Sequence, residues 1–196
     1  DGHDVFGNIF ELTLGRHVIL LQTSKAMNAA VRKAGKRVAV QYVVDSDKFN
    51  ASTDERKAAT MLNDLRSACQ NHDVQDIRMS DLQQNGTIES ESMLIPLGPI
   101  LQTCHALRSL TLRNNQGLDI STVTASLRHL TGLKRLDLSR NRGMVLSQDA
   151  DWELTALREL NLWGNYLFDN GIERLTHCIH SCTGLTDLNL GRNGMN

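Results

Sequence analysis

One pattern recurs four times in the second half of this 196-residue chain and leaves few folds open. Leu107-x-x-Leu110-x-Leu112-x-x-Asn115 returns as Leu133-x-x-Leu136-x-Leu138-x-x-Asn141, as Leu157-x-x-Leu160-x-Leu162-x-x-Asn165 and as Leu185-x-x-Leu188-x-Leu190-x-x-Asn193, in steps of 26, 24 and 28 residues. Each Leu-x-Leu has the period of a strand, so its leucines face one way and the residues between them the other. A strand this short cannot bury its apolar side alone. Stacking successive units gives a parallel sheet with return segments on the opposite face, and parallel crossovers are right-handed. The expected fold is therefore an α/β right-handed solenoid, with strands on a concave face and helical returns. Asn115, Asn141, Asn165 and Asn193 stand where the chain leaves each strand, where an amide can satisfy buried backbone groups of neighbouring turns.

The returns repeat as well. Three residues before the first leucine stand Cys104, Leu130, Leu154 and Cys182, and ten before it stand Leu97, Val123, Ser147 and Leu175. That spacing predicts helical segments facing the strands, with a shorter and less regular return in the unit containing Ser147. In the last unit, a helix is expected over roughly 172–181. The run Asn165-Tyr-Leu-Phe-Asp-Asn-Gly171-Ile172, continued by Leu175, Cys182, Leu185, Leu188 and Leu190, resembles the ribonuclease-inhibitor type of leucine-rich repeat. Val74-x-x-Ile77-x-Met79 keeps the strand spacing without the asparagine and reads as a degenerate opening repeat. Arg37–Val44 is rich in β-formers and is followed by a helix expected over about 52–69. This divides the chain into an amino-terminal segment, 1–35, and a repeat domain, 36–196, with degenerate units over 36–99 and regular ones over 100–196. No polar capping unit follows Leu190, so an open apolar face is expected there, available for further repeats or self-association.

Residues 4–34 read as two or three short helices, with Val5, Phe6, Ile9, Phe10 and Leu12 on one face of the first and Val18–Leu21 in the second. Asp4-Val-Phe-Gly-Asn-Ile-Phe10-Glu-Leu12, then His17-Val-Ile-Leu20-Leu-Gln-Thr-Ser-Lys25-Ala-Met27, resembles the body of an F-box, without the Leu-Pro that opens that motif and with Met27 where tryptophan is common. The resemblance implies docking on the adaptor subunit of a cullin-based ubiquitin ligase through Val5, Phe6, Ile9, Phe10, Leu20 and Met27. The alternative is a helical cap over the first strand. Arg32, Lys33, Lys36 and Arg37 fit a helix carboxyl end, where the macrodipole favours cations, as well as a nuclear address.

Charge narrows the partners. Twenty-one basic against twenty-two acidic residues give a net charge of −1, which advertises neither nucleic acid nor an anionic membrane. The longest apolar run, Val18–Leu21, is far short of a membrane span, so a cytoplasmic chain, with nuclear placement also open, is expected. No cofactor is implied. No phosphate loop, paired-carboxylate signature, His-Glu-x-x-His or Gly-x-Ser-x-Gly occurs, and an enzyme is not expected. His177, Cys178, His180 and Cys182 are zinc-type ligands, but on a helix they fan too widely to converge on one metal. Cys104 and Cys182, three units apart, lie beyond the reach of a disulfide, and free thiols are the simpler reading for the cysteines.

What remains is a surface. The residues between the inward leucines form variable columns, and Arg113, Arg135, Asp137, Arg158, Glu159, Asn161, Trp163, Asp187 and Asn189 are the candidates for binding a protein partner on the concave face. Trp163, expected beside Arg158, Glu159 and Arg135, has the composition of an interface anchor. Trp152 falls on the return side, where packing is expected. The function these features suggest is protein recognition, in a ubiquitin-ligase receptor or in a scaffold or sensor with no ligase link.

Overall fold

A computed structural model describes residues 12–14, 17–19, 39–44, 55–80, 97–115, 120–141, 144, 146 and 151–195. Within these, strands β3 (Ala39–Val44), β4 (Asp73–Met79), β5 (Ser109–Thr111), β6 (Arg135–Asp137), β7 (Glu159–Asn161) and β8 (Asp187–Asn189) form one sheet in chain order. Every neighbouring pair is parallel. The register follows the repeat: Leu110 pairs with Leu136, Leu136 with Leu160 and Leu160 with Leu188. Because the units differ in length but the strands do not, all the variation falls in the returns.

Between strands run helices α1 (Glu55–Asn71), α2 (Leu97–Leu101), α3 (Ile120–Leu127) and α4 (Phe168–Cys178). α1 lies against β4 and α2, and α2 against α3. On α1, the buried Leu62, Leu65, Ala68 and Cys69 recur at helical spacing, so one stripe faces the core. The repeat leucines of the first three units and the three-before positions Cys104, Leu130, Leu154 and Cys182 share that core, with Leu185 and Leu190 packed against it, while Leu188 on the last strand is 43% exposed. Burying one leucine side chain contributes about 1.5–3 kcal/mol, and each unit supplies several. The described residues between Asn141 and Leu157 contain no helix, and Ser147 lies outside the described residues. α4 starts earlier than the sequence suggests. Gly171, expected ahead of the helix, lies inside it, donating its N–H to the Leu167 carbonyl at 2.9 Å.

The asparagines form a continuous ladder. The N–H of Asn115 donates to Asn141 Oδ1 at 2.8 Å, that of Asn141 to Asn165 Oδ1 at 2.6 Å and that of Asn165 to Asn193 Oδ1 at 2.9 Å. Each Nδ2 donates to strand-end carbonyls, for Asn165 those of Leu138 and Leu162 at 3.0 and 2.9 Å. All four side chains are buried, so the amides replace water for backbone groups that the stacking hides.

Two expectations are corrected. Leu12–Leu14 (β1) and His17–Ile19 (β2) are not helical but pair as an antiparallel hairpin, Leu14 opposite His17. Thr13, Val18 and Ile19 are β-branched, and the two residues between the strands begin with Gly15, the composition a tight hairpin connection favours. The adaptor-docking residues Val5, Phe6, Ile9, Phe10, Leu20 and Met27 lie outside the described residues. Second, Cys69 and Cys104 are not free thiols. They form a disulfide with Cα atoms 5.4 Å apart, joining α1 to the turn that follows α2. Repeat spacing places Cys104 three units from Cys182, whereas Cys69 sits on the helix immediately next to it.

Candidate functional site

The outward face of the sheet carries an open groove of about 860 Å³, to whose lining Leu136, Leu160 and Leu188 also contribute. Since Leu110, Leu136 and Leu160 turn inward and are buried, the residues on either side of them must point out. Of the nine candidates, Arg135, Asp137, Glu159, Asn161, Asp187 and Asn189 line the groove, joined by Arg78, Ser109 and Thr111. Arg78 has a sequence signal, as the outward residue between Ile77 and Met79, but its unit lacks the asparagine that marks the other columns.

The two columns do different work. In the second, Oδ1 of Asp137, Asn161 and Asn189 accepts the N–H of Ser139, Trp163 and Gly191 at 2.9, 3.2 and 3.1 Å. These side chains fold the turn that ends each strand, a local geometry Asp and Asn favour. The first column, Ser109, Arg135, Glu159 and Asp187, stands in register across β5 to β8. Arg135 Nη1 lies 3.7 Å from Glu159 Oε1 with both side chains more than half exposed, a contact weak enough to be exchanged for a partner's. At the far side, Arg78 donates from Nε and Nη2 to Asp76 Oδ2 at 2.9 and 2.7 Å.

Arg113, Arg158 and Trp163 lie outside the groove. The strands are only three residues long, so at the position of Arg113 and Trp163 the chain has already entered the turn. Residues one step further, Asn114, Arg140, Gly164 and Arg192, take left-handed φ of 53, 60, 71 and 55°. Trp163 is accordingly not grouped with Arg158, Glu159 and Arg135. Its ring stacks with Arg140 and Arg192, whose Cζ atoms lie 4.8 and 5.1 Å from its centroid. Arg158 reaches the other way and donates from Nη1 to the Gly184 carbonyl at 3.1 Å.

On the return side Trp152 is fully buried. His177 and His180 are exposed while Cys178 and Cys182 are buried, and among the described residues no group of three or more metal-ligating side chains converges. Burial first, then the Asp151 carboxylate, pushes the Cys178 thiol up to about 11. Burial also raises that of Cys182. Asp151 moves the other way, its carboxyl lowered by the Ser181 hydroxyl and then by the Glu153 N–H.

The family model for the leucine rich repeat matches residues 105–167, which span β5, β6 and β7. No curated protein and no solved structure matches the chain. The match supports a leucine-rich repeat protein, and proteins of that kind serve protein–protein interaction. Among the described residues no helix is long and apolar enough to cross a membrane.

Proposed function

We propose that this chain is a protein-binding module and not an enzyme, built as a right-handed solenoid of ribonuclease-inhibitor-like repeats whose concave face is the groove over β4 to β8. One observation carries the reading. Arg135, Glu159 and Asp187 stand side by side on the groove floor, held only by the weak Arg135–Glu159 pair and by an exposed bond from the Thr186 hydroxyl to Asp187 Oδ2 at 2.7 Å, while the fold is held by the leucines and asparagines behind them. An ordered row of exposed charged side chains is what a repeat surface offers a partner.

The ubiquitin-ligase reading has less support. It needs helices where Leu12–Leu14 and His17–Ile19 are strands, and mixing the chain with the F-box-binding adaptor should give separate elution by light scattering. The Cys69–Cys104 bridge favours folding in an oxidising compartment over a cytoplasmic or nuclear one.

The test compares proteins captured by the wild-type chain, by Arg135→Ala/Glu159→Ala/Asp187→Ala and by Gln102→Ala, an exposed change on the return side. A partner lost roughly tenfold or more from the triple variant alone supports the groove, since charged interface truncations carry such losses. Equal capture by all three, with unchanged circular dichroism, overturns it.

A further inference from the structure

Beside the groove, the turns that end the strands form a rim with different chemistry. Arg113, Arg140 and Arg192 are exposed there, and none of the three has an ion-pair partner among the described residues. Arg140 and Arg192 belong to turns two units apart, with the turn of Trp163 between them, so the indole is bracketed by the two guanidinium groups. Stacking engages the face of a guanidinium and leaves its edge N–H groups directed outward, in the fork geometry that matches a carboxylate. The left-handed φ of 60° at Arg140 and 55° at Arg192 is fixed by the repeat. Arg140 N–H donates to the Trp163 carbonyl at 2.8 Å, and Asn193, next to Arg192, is held in the ladder. The stacked pair is therefore presented on an ordered backbone rather than on a loose loop. Tyr166 and Phe168, 49% and 56% exposed with ring centroids 6.4 Å apart, add apolar surface on the chain leaving the Trp163 turn.

The geometry points to this rim as the docking site for an acidic protein segment, two carboxylates of which take the edges of Arg140 and Arg192 on either side of Trp163. Charge selects this occupant. A nucleic acid would lay a continuous row of phosphates over both rim and groove, and Glu159 and Asp187 in the groove repel it. A protein segment places its carboxylates only where the arginines are. The site stands apart from the groove reading and does not depend on it.

The test titrates a fluorescently labelled ten-residue poly-glutamate peptide into the full chain at low salt and follows anisotropy. Binding should weaken as salt rises and fall roughly tenfold or more in Arg140→Gln/Arg192→Gln, as loss of charge-assisted bonds predicts. Arg66→Gln, on the exposed side of α1, should bind as wild type does. The groove triple variant, which removes two acidic groups and one basic group, should bind no more weakly than wild type, which separates failure here from failure of the groove. Equal binding by Arg140→Gln/Arg192→Gln, with its melting curve unchanged, overturns the assignment. Tighter binding of a poly-thymidine oligonucleotide than of the peptide overturns it as well and gives the rim to nucleic acid.

Discussion

The guanidinium of Arg158 lies across Gly184 of the following unit, with Nη1 donating to its carbonyl at 3.1 Å. A Cβ at position 184 would overlap that group, and a Cβ at Gly132 would overlap the guanidinium of Arg108 one repeat earlier. Where the corresponding residue is Lys134, the next unit carries Ala156 in place of glycine. The pairing of arginine with a following glycine is thus a contact between units, and it turns the Arg158 guanidinium toward Gly184.

Gly184→Ala should displace that side chain and cost about 1 kcal/mol, the worth of one exposed hydrogen bond. In an Arg158→Ala background the cost should shrink to what the tight approach of the new Cβ to the Thr155 carbonyl imposes, 3.1 Å in the present geometry. Urea unfolding of the four proteins of this cycle measures the coupling. An undiminished cost in the Arg158→Ala background would show that the backbone contact, not the guanidinium, requires glycine.

Asn165 is a harsher site. Truncation to alanine removes the acceptor for the Asn141 N–H and both donors to the Leu138 and Leu162 carbonyls, all in a buried ladder. Unsatisfied buried groups cost about 1–3 kcal/mol each, so Asn165→Ala should lose about 3 kcal/mol or more in denaturant unfolding. Asn165→Asp should be destabilised too, since it keeps the acceptor but not the donors. A loss under about 1 kcal/mol for either would mean that water replaces the amide.

The leucine spacing made this ladder legible, because burying Leu110 and Leu136 fixes where Asn115 and Asn141 must turn. The groove was legible for the same reason: an outward residue between two inward leucines has nowhere else to go. Trp163 was not, since nothing in a Leu-x-Leu pattern says that the strand ends one residue earlier than the alternation. Nor was the bridge. Cys69 stands five residues before Val74 while Cys104 stands three before Leu107, so repeat register alone does not bring them together. At Leu12–Leu14 and His17–Ile19 the apolar runs are too short for periodicity to separate helix from strand, and the hairpin pairing decided it.

The disulfide gives a direct count. Denatured without reductant, the chain should expose two reactive thiols, Cys178 and Cys182, and four after reduction, read by mass after alkylation. With its ends 35 positions apart in sequence, the bridge restricts the unfolded chain, and Cys69→Ser/Cys104→Ser should lose about 2–4 kcal/mol. Four thiols without reductant would return all the cysteines to the free state expected from the sequence.

Cys178 predicts an alkaline loss of stability. Its thiol is raised to about 11 in the folded chain, from an ordinary value of 9.0. Between those two pH values the native state keeps a proton that the unfolded state has released. The contribution is fully present below pH 9 and is lost as pH rises toward 11, by on the order of 2 kcal/mol. Cys182, raised by burial as well, acts in the same direction. Urea midpoints at pH 8, 9, 10 and 10.5 should therefore fall more steeply for the wild type than for Cys178→Ala, which lacks the titrating group. Parallel slopes would mean that the thiol ionises as readily in the folded chain as in the unfolded one, so that its burial at the end of α4 is lost before the chain unfolds.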